Sequence, residues 1–257
     1  MADPRPGLHK SIGWRRLAYL GSRFGPRPLV KYSPGWFAMA FALALPRERE
    51  AVRRNFQRLL GPRSAHQERL DVMRTFTVYA HCLAESLGAE RRDARAGHCH
   101  VTNEHLLDDV LQSRGGFIIG TAHTGAWDIA AQSLIRKTGR HVVLVMDREP
   151  DVDARALQDQ LRHERGIQIA HVGADAFEGL VLLRHLRQGG IVAVQLDRLA
   201  AGSRSVTVQL GCAPFKMPLG PFVLASLAQV PLLPLFVARR GYYEYSIQVH
   251  PPVRLAR

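Results

Sequence analysis

Three cysteines in 257 residues, Cys82, Cys99 and Cys212, are odd in number and follow no repeating spacing. That rules out a disulfide framework and points to a reducing compartment. Aromatic residues make up only 7% of the chain, which argues against a nucleic-acid module, because such modules interleave aromatics with their basic groups. Lysine contributes little: arginine supplies nearly all of the 35 basic residues, set against 22 acidic ones. The apolar run Trp36–Leu45 is ten residues long, half of the roughly 20 that a membrane-crossing helix needs. The first 20 residues hold no uninterrupted apolar core of the kind a secretory signal requires. There is no G-x-S-x-G nucleophile elbow, no P-loop and no GxGxxG dinucleotide turn. The missing elbow argues for direct transfer chemistry without an acyl-enzyme. Internal repeats and low-complexity tracts are also lacking.

Hydrophobic content of 46% is ample for a substantial core, and the length suits one large α/β domain, or a domain with a helical extension. The formal net charge of +13 is unevenly spread: residues 1–60 hold 12 basic and 3 acidic residues, whereas the remaining 197 carry a net charge of only +4. A basic N-terminal arm of this kind attracts anionic lipid headgroups or nucleic acid. Trp36–Leu45, stopped by Pro46 and followed by arginines, fits either an interfacial helix or one packed on the domain. Residues 1–100 are accordingly expected to form a basic, helical, membrane-associating part, and residues 101–257 an α/β domain.

Apolar spacing predicts helices over Arg47–Leu60, ended by Gly61 and Pro62, and over Ser64–Ser86. Arg91–His100 reads as a polar loop. His98, Cys99 and His100, with His81 and Cys82, match no standard zinc spacing. A short helix follows over Asn103–Gln112, with Thr102 or Asn103 as its cap. From residue 116 strand and helix alternate. Strands are expected at Phe117–Ile119 and beyond, His141–Met146, Ile167–Val172, Ile191–Leu196, Val206–Leu210 and Leu232–Val237. Helices are expected over Asp128–Lys137, Val152–Arg165, Ala176–Arg187 and Pro221–Ala228. Tyr243–Val249 alternates as an edge strand does, and Leu210–Pro221 reads as a loop. Repeating β–α units imply a largely parallel sheet flanked by helices.

The chemistry concentrates at FIIGTAHTGAWDIA, Phe117–Ala130. A buried strand leads to His123, Thr124 and Gly125 form a turn, and Asp128 sits in the first turn of the next helix. A histidine and a carboxylate at the carboxyl end of a strand suit a general base and its orienting partner. The spacing alone carries nothing, because His66/Asp71 repeats it in a charged stretch that reads as a solvated helix face. Arg148, just past a strand end, and the pair Asp197 and Arg198, just past another, fall at the same sheet edge.

GTAHTGAWD, LRQGGIVAVQLDR, LGCAPFKMPLGPFVLAS and VPLLPLF occur in an order that resembles the bacterial lipid A biosynthesis acyltransferases of the lauroyl/myristoyl type, and their relative the phosphatidylinositol mannoside acyltransferase, within the glycerolipid acyltransferase superfamily. The resemblance covers about residues 47 to 250. It implies a helix-flanked sheet, an N-terminal part that meets the membrane, and an acyltransferase. It implies further that His123 and Asp128 form the family's HX4D/E motif and are catalytic. Arg148, Asp197 and Arg198 would bind substrate, as would a loop with Gly211, Ala213, Met217 and Gly220 at its marked positions. An acyl chain would pass from acyl-carrier protein or acyl-CoA to a hydroxyl of a membrane glycolipid such as a lipid A precursor. The acceptor could instead be a lysophospholipid or a phosphatidylinositol mannoside. Neither cofactor nor metal is called for. The expected setting is the cytoplasmic face of the inner membrane, peripheral or monotopic, on an anionic surface and without nucleic acid. Leu219, Phe222 and Val223 are candidates for an acyl groove or for core. Two other readings are a non-enzymatic basic protein that binds anionic membranes, and a hydrolase of the same fold.

Overall fold

The computed structural model describes residues 12–89, 91, 98–147, 168–172, 178–200 and 202–255. Among these are eight helices and nine strands. The chain divides into two compact units: Met1–His98 with Leu210–Ala213 and Arg239–Glu244, and the remainder.

The first unit contains α1 (Ile12–Phe24), α2 (Arg27–Ala44), α3 (Pro46–Leu60) and α4 (Ala65–Leu87). The two helices predicted over residues 47–86 are α3 and α4. Ser64 caps α4 by accepting from the amide of Gln67, and Gly61 ends α3 at φ +77°. The segment Trp36–Leu45 belongs to the second half of α2. The first half of α2 and all of α1 lie in a stretch whose arginines, glycines and prolines hide a helical period. Each of α1, α2 and α3 packs on α4. α2 buries a face of small side chains at four-residue spacing, Val30, Pro34, Ala38 and Ala42. Its outward positions are large: Leu29, Tyr32, Trp36, Met39 and Leu43 are all exposed, Trp36 and Leu43 at 72% each. Arg49 donates to the carbonyls of Ala42 and Leu43 and so satisfies the end of α2.

A charge pair is buried in the same unit. Glu85 on α4 is 1% exposed, and the Arg239 guanidinium donates to its Oε1 from Nε at 2.9 Å and from Nη2 at 2.8 Å. Beside it, burial first and then the Arg239 cation hold the His81 imidazole below its ordinary value. Burial, then the Glu85 carboxylate, push the Cys82 thiol up to about 11, which leaves it an inert core residue.

The sheet holds seven strands in the order β1-β9-β8-β2-β5-β3-β4. They are β1 (His98–Thr102), β2 (Phe117–Thr121), β3 (Val142–Asp147), β4 (Gln168–Val172), β5 (Ile191–Gln195), β8 (Leu232–Gly241) and β9 (Glu244–Val249). The neighbours β8-β2-β5-β3-β4 all pair parallel, so the expected α/β class holds. The intervening helices are α5 (Glu104–Gln112), α6 (Trp127–Thr138), α7 (Glu178–Arg187) and α8 (Gly220–Ala228). One core cluster joins Ile118, Val143, Val192, Val194 and Leu232 of the sheet to Leu182 and Leu186 of α7 and Ala225 of α8.

Four expectations need correction. The strand read as an edge, β9, lies inside the sheet between β1 and β8; Tyr245, Ser246 and Ile247 are all buried, while Glu244 and Gln248 stay exposed. The true edge beside it is β1, whose polar sequence HCHVT buries no residue fully and therefore reads as loop. Asn103 does not cap α5 through its side chain. It takes φ +59° and donates to the carbonyl of Val249 at 3.0 Å. Finally, residues 210–221 are not a loop: β6 (Ser205–Leu210) and β7 (Ala213–Pro218) pair as a two-stranded hairpin that leads into α8. The helix expected over Val152–Arg165 lies outside the described residues.

Candidate active site

β2 and β5 are parallel neighbours with Thr121 opposite Gln195. Their pairing runs one step past the strands, because the Leu196 amide donates to the Thr121 carbonyl at 2.8 Å. Two residues beyond each strand come His123 and Asp197. The register therefore brings together two side chains that lie 74 positions apart. At the same point the chain turns sharply: the Thr124 amide donates to the Ala122 carbonyl at 2.7 Å, a γ-turn with His123 at its centre. Gly125 then takes φ +59°, and a Cβ there would stand 2.6 Å from the carbonyl oxygen of Val237 on β8. Only glycine fits both the angle and the gap. α6 starts at Trp127 and carries the polypeptide away from the sheet edge.

The Asp197 carboxylate holds His123 twice. Its Oδ1 lies 2.8 Å from ring Nδ1, and its Oδ2 accepts the His123 backbone N–H at 3.2 Å. Burial alone would raise the Asp197 carboxyl, but the hydrogen bonds and charge of His123 outweigh it and hold the carboxyl below the usual carboxylate range. An ionised carboxylate only accepts, so Nδ1 carries a proton, and the neutral imidazole then offers its lone pair at Nε2. Side chains about one-third exposed, 36% for His123 and 35% for Asp197, leave that lone pair within reach of a substrate. The arrangement is a histidine base with a carboxylate behind it, at the carboxyl end of a parallel sheet.

The other residues singled out from the sequence are distributed as follows. Asp128 stands in the first turn of α6; its side chain, like all of Arg148, lies outside the described residues. Arg198 follows Asp197 and is exposed. Gly211 is at the tip of the β6–β7 hairpin with φ +59°, where a Cβ would stand 2.1 Å from the Leu59 carbonyl oxygen. The neighbouring Cys212 amide donates to Arg58 at 3.0 Å, so this tip is fastened to the end of α3. Gly220 opens α8, with open space where its Cβ would be. Phe222 packs against the core cluster, whereas Val223 is exposed. The second His-x4-Asp pair is structural: Asp71 accepts from Arg63 at 2.6 Å and from Gln67 at 3.3 Å. Among the described residues no three His, Cys, Asp or Glu side chains converge as a metal site requires, and no helix is long and apolar enough to cross a membrane.

A histidine backed by a carboxylate at the carboxyl edge of a helix-flanked parallel sheet is an arrangement suited to general-base chemistry. The chain belongs to the bacterial lipid A biosynthesis acyltransferase family, whose sequence profile matches residues 12–257. It is thus an acyltransferase of the lipid A biosynthesis type. A comparison with curated proteins finds no match.

Proposed function

We propose that this acyltransferase moves a fatty acyl chain from a thioester donor, acyl-carrier protein or acyl-CoA, to a hydroxyl of a membrane glycolipid such as a lipid A precursor. Nε2 of His123 removes the hydroxyl proton as the oxygen attacks the thioester carbonyl. The tetrahedral oxyanion collapses, the carbon–sulfur bond breaks, and the imidazolium returns its proton to the departing thiolate. The products are an ester and a free thiol. Asp197 keeps the imidazole on the reactive tautomer and stabilises the imidazolium. Asp128, the acidic member of the family's HX4D/E motif, is a second candidate for orienting the imidazole. Arg148 and Arg198 bind phosphates of the acceptor or of the donor's pantetheine arm. The amides near Gly220, at the start of α8, are a remaining candidate for binding substrate. A lysophospholipid or a phosphatidylinositol mannoside would satisfy the same chemistry as acceptor.

The observation that carries this reading is the His123–Asp197 pair at 2.8 Å in a chain of this family. The test is acyl transfer by the purified protein, with free fatty acid measured beside acylated lipid. His123→Ala should lower transfer about 10²–10⁴-fold, the usual contribution of a general base. Undiminished transfer would remove His123 from the mechanism. Free fatty acid as the main product would make the enzyme a hydrolase.

We also propose that the protein works at the cytoplasmic face of the inner membrane, lying on an anionic surface through the outward side of α2. Leu29, Tyr32, Trp36, Met39 and Leu43 are spaced three and four residues apart and exposed, and α2 contains basic but no acidic residues. A helix of this kind lies in the interfacial plane rather than across the bilayer. Trp36→Ser with Leu43→Ser should weaken binding to anionic vesicles about tenfold or more, since each buried side chain of this size contributes about 1.5–3 kcal/mol. Unchanged vesicle binding would overturn this placement. A protein that binds vesicles but consumes no thioester would instead support the non-enzymatic reading.

A further inference from the structure

Thr121 and Gln195 end β2 and β5 and face each other across the parallel register. Side chains alternate along a strand, so this pair shares a sheet face with Phe117 and Ile119 on one strand and Ile191 and Ala193 on the other. Every earlier pair in that column is apolar, and the next residues in the same two-residue step are His123 and Asp197. Thr121 is 6% exposed, and its Oγ1 is buried without a hydrogen-bond partner. The amide nitrogen of Gln195, Nε2, is likewise buried and unpaired.

An unpaired buried hydroxyl or amide costs about 1–3 kcal/mol. Valine and leucine would fill the same positions at no such cost, as apolar residues do one step earlier in each strand. Packing therefore does not account for this pair. A threonine hydroxyl and a glutamine amide both donate, and their strands are about 4.8 Å apart. Two neighbouring donors of this kind suit one shared acceptor oxygen. The Asp197 carboxylate, two residues further on, accepts a single bond from His123 at each oxygen, and a carboxylate has about four lone-pair sites. Neither Thr121 Oγ1 nor Gln195 Nε2 bonds to Asp197 directly, so a link between them needs a bridging water.

We propose that Thr121 and Gln195 are positioning residues for the base: together they hold one buried water that bonds on to Asp197 and fixes it against His123. The proposal rests on His123 as the base. Without that anchor the carboxylate gains rotational freedom, and the imidazole loses its single tautomer.

The test uses Thr121→Val and Gln195→Leu, which remove the polar atoms and keep the volume. Each should lower kcat about tenfold, the effect seen for outer hydrogen-bond partners of catalytic groups, with KM unchanged. Thr121→Ser should restore activity because it restores the hydroxyl. Thermal melting should show both apolar variants folded, so that a loss of kcat is not a loss of structure. Nitrogen-15 NMR of His123 gives a readout independent of transfer: one Nδ1–H tautomer in the parent, mixed tautomers in the variants. Wild-type kcat together with a single tautomer in both variants overturns the proposal. So does a crystal structure of the parent in which no water lies within about 3.2 Å of Thr121 Oγ1 and Gln195 Nε2. If the parent transfers no acyl chain, the functional reading fails, and the NMR and crystallographic results still decide this proposal.

Discussion

In β2 every residue from Phe117 to Thr121 is buried, with Phe117 and Ile118 at 0% exposure. In α2 the buried residues are Val30, Pro34, Ala38 and Ala42, and the largest apolar side chains point out. Both segments are rich in apolar residues, yet they place them in opposite ways. A strand in the middle of a parallel sheet has both faces covered, so every large side chain is enclosed. A helix has one covered stripe, and α2 fills that stripe with small residues that allow close approach to α4. Apolar sequence thus marks a core in one unit and an unpartnered face in the other, and the size of the residues on the buried stripe tells them apart.

The comparison is sharpened most by substituting one residue from each segment. Phe117→Ala should cost about 3–5 kcal/mol in denaturant unfolding, whereas Leu43→Ser should stay within about 0.5 kcal/mol, as for a surface position. A large loss at Leu43 would mean that the outward face of α2 packs within the folded chain. A somewhat smaller effect separates the two acid–base pairs. Arg239→Met removes the guanidinium that faces the buried Glu85 carboxylate, and should destabilise by about 3 kcal/mol. Asp197→Asn at the one-third-exposed site should leave the unfolding midpoint nearly unchanged and reduce acyl transfer. The reverse pattern would exchange the structural and chemical roles assigned to the two pairs.

The smallest effect is on pH dependence. His81 is held below its ordinary value in the folded chain. The unfolded chain therefore takes up a proton at His81, near the ordinary value of about 6.5, before the folded chain does. Stability from this group is full above that value and falls as pH drops through it toward the lower folded value. Between pH 7.5 and 5.5 the unfolding midpoint should fall less in His81→Gln than in the parent. Equal slopes would show that His81 meets the same environment folded and unfolded.

Several elements were legible because local chemistry fixes them. Gly61 and Ser64 bracket the boundary between α3 and α4, and apolar runs mark β2, β3 and β5. Gly125 signalled the turn after His123, and its φ of +59° against Val237 explains why glycine stands there. Other elements were not legible. β1 carries the polar sequence of an exposed edge, and α1 has arginine-rich turns that blur its period. β7 holds two prolines and follows Gly211, and it reads as loop until it pairs with β6. The inner position of β9 depends on β1, which the chain forms well over a hundred residues earlier.

The same division holds at the site. By itself the sequence determined that a histidine would end a buried strand and that Asp197 and Arg198 would end another, because strand length and turn residues are local properties. Only the tertiary structure decided that these two strand ends are neighbours in register, so that Asp197 meets Nδ1 of His123 and Thr121 meets Gln195. Strand order in a parallel sheet is set by how helices and crossovers pack over its faces. That packing is long-range, and no spacing along the chain encodes it.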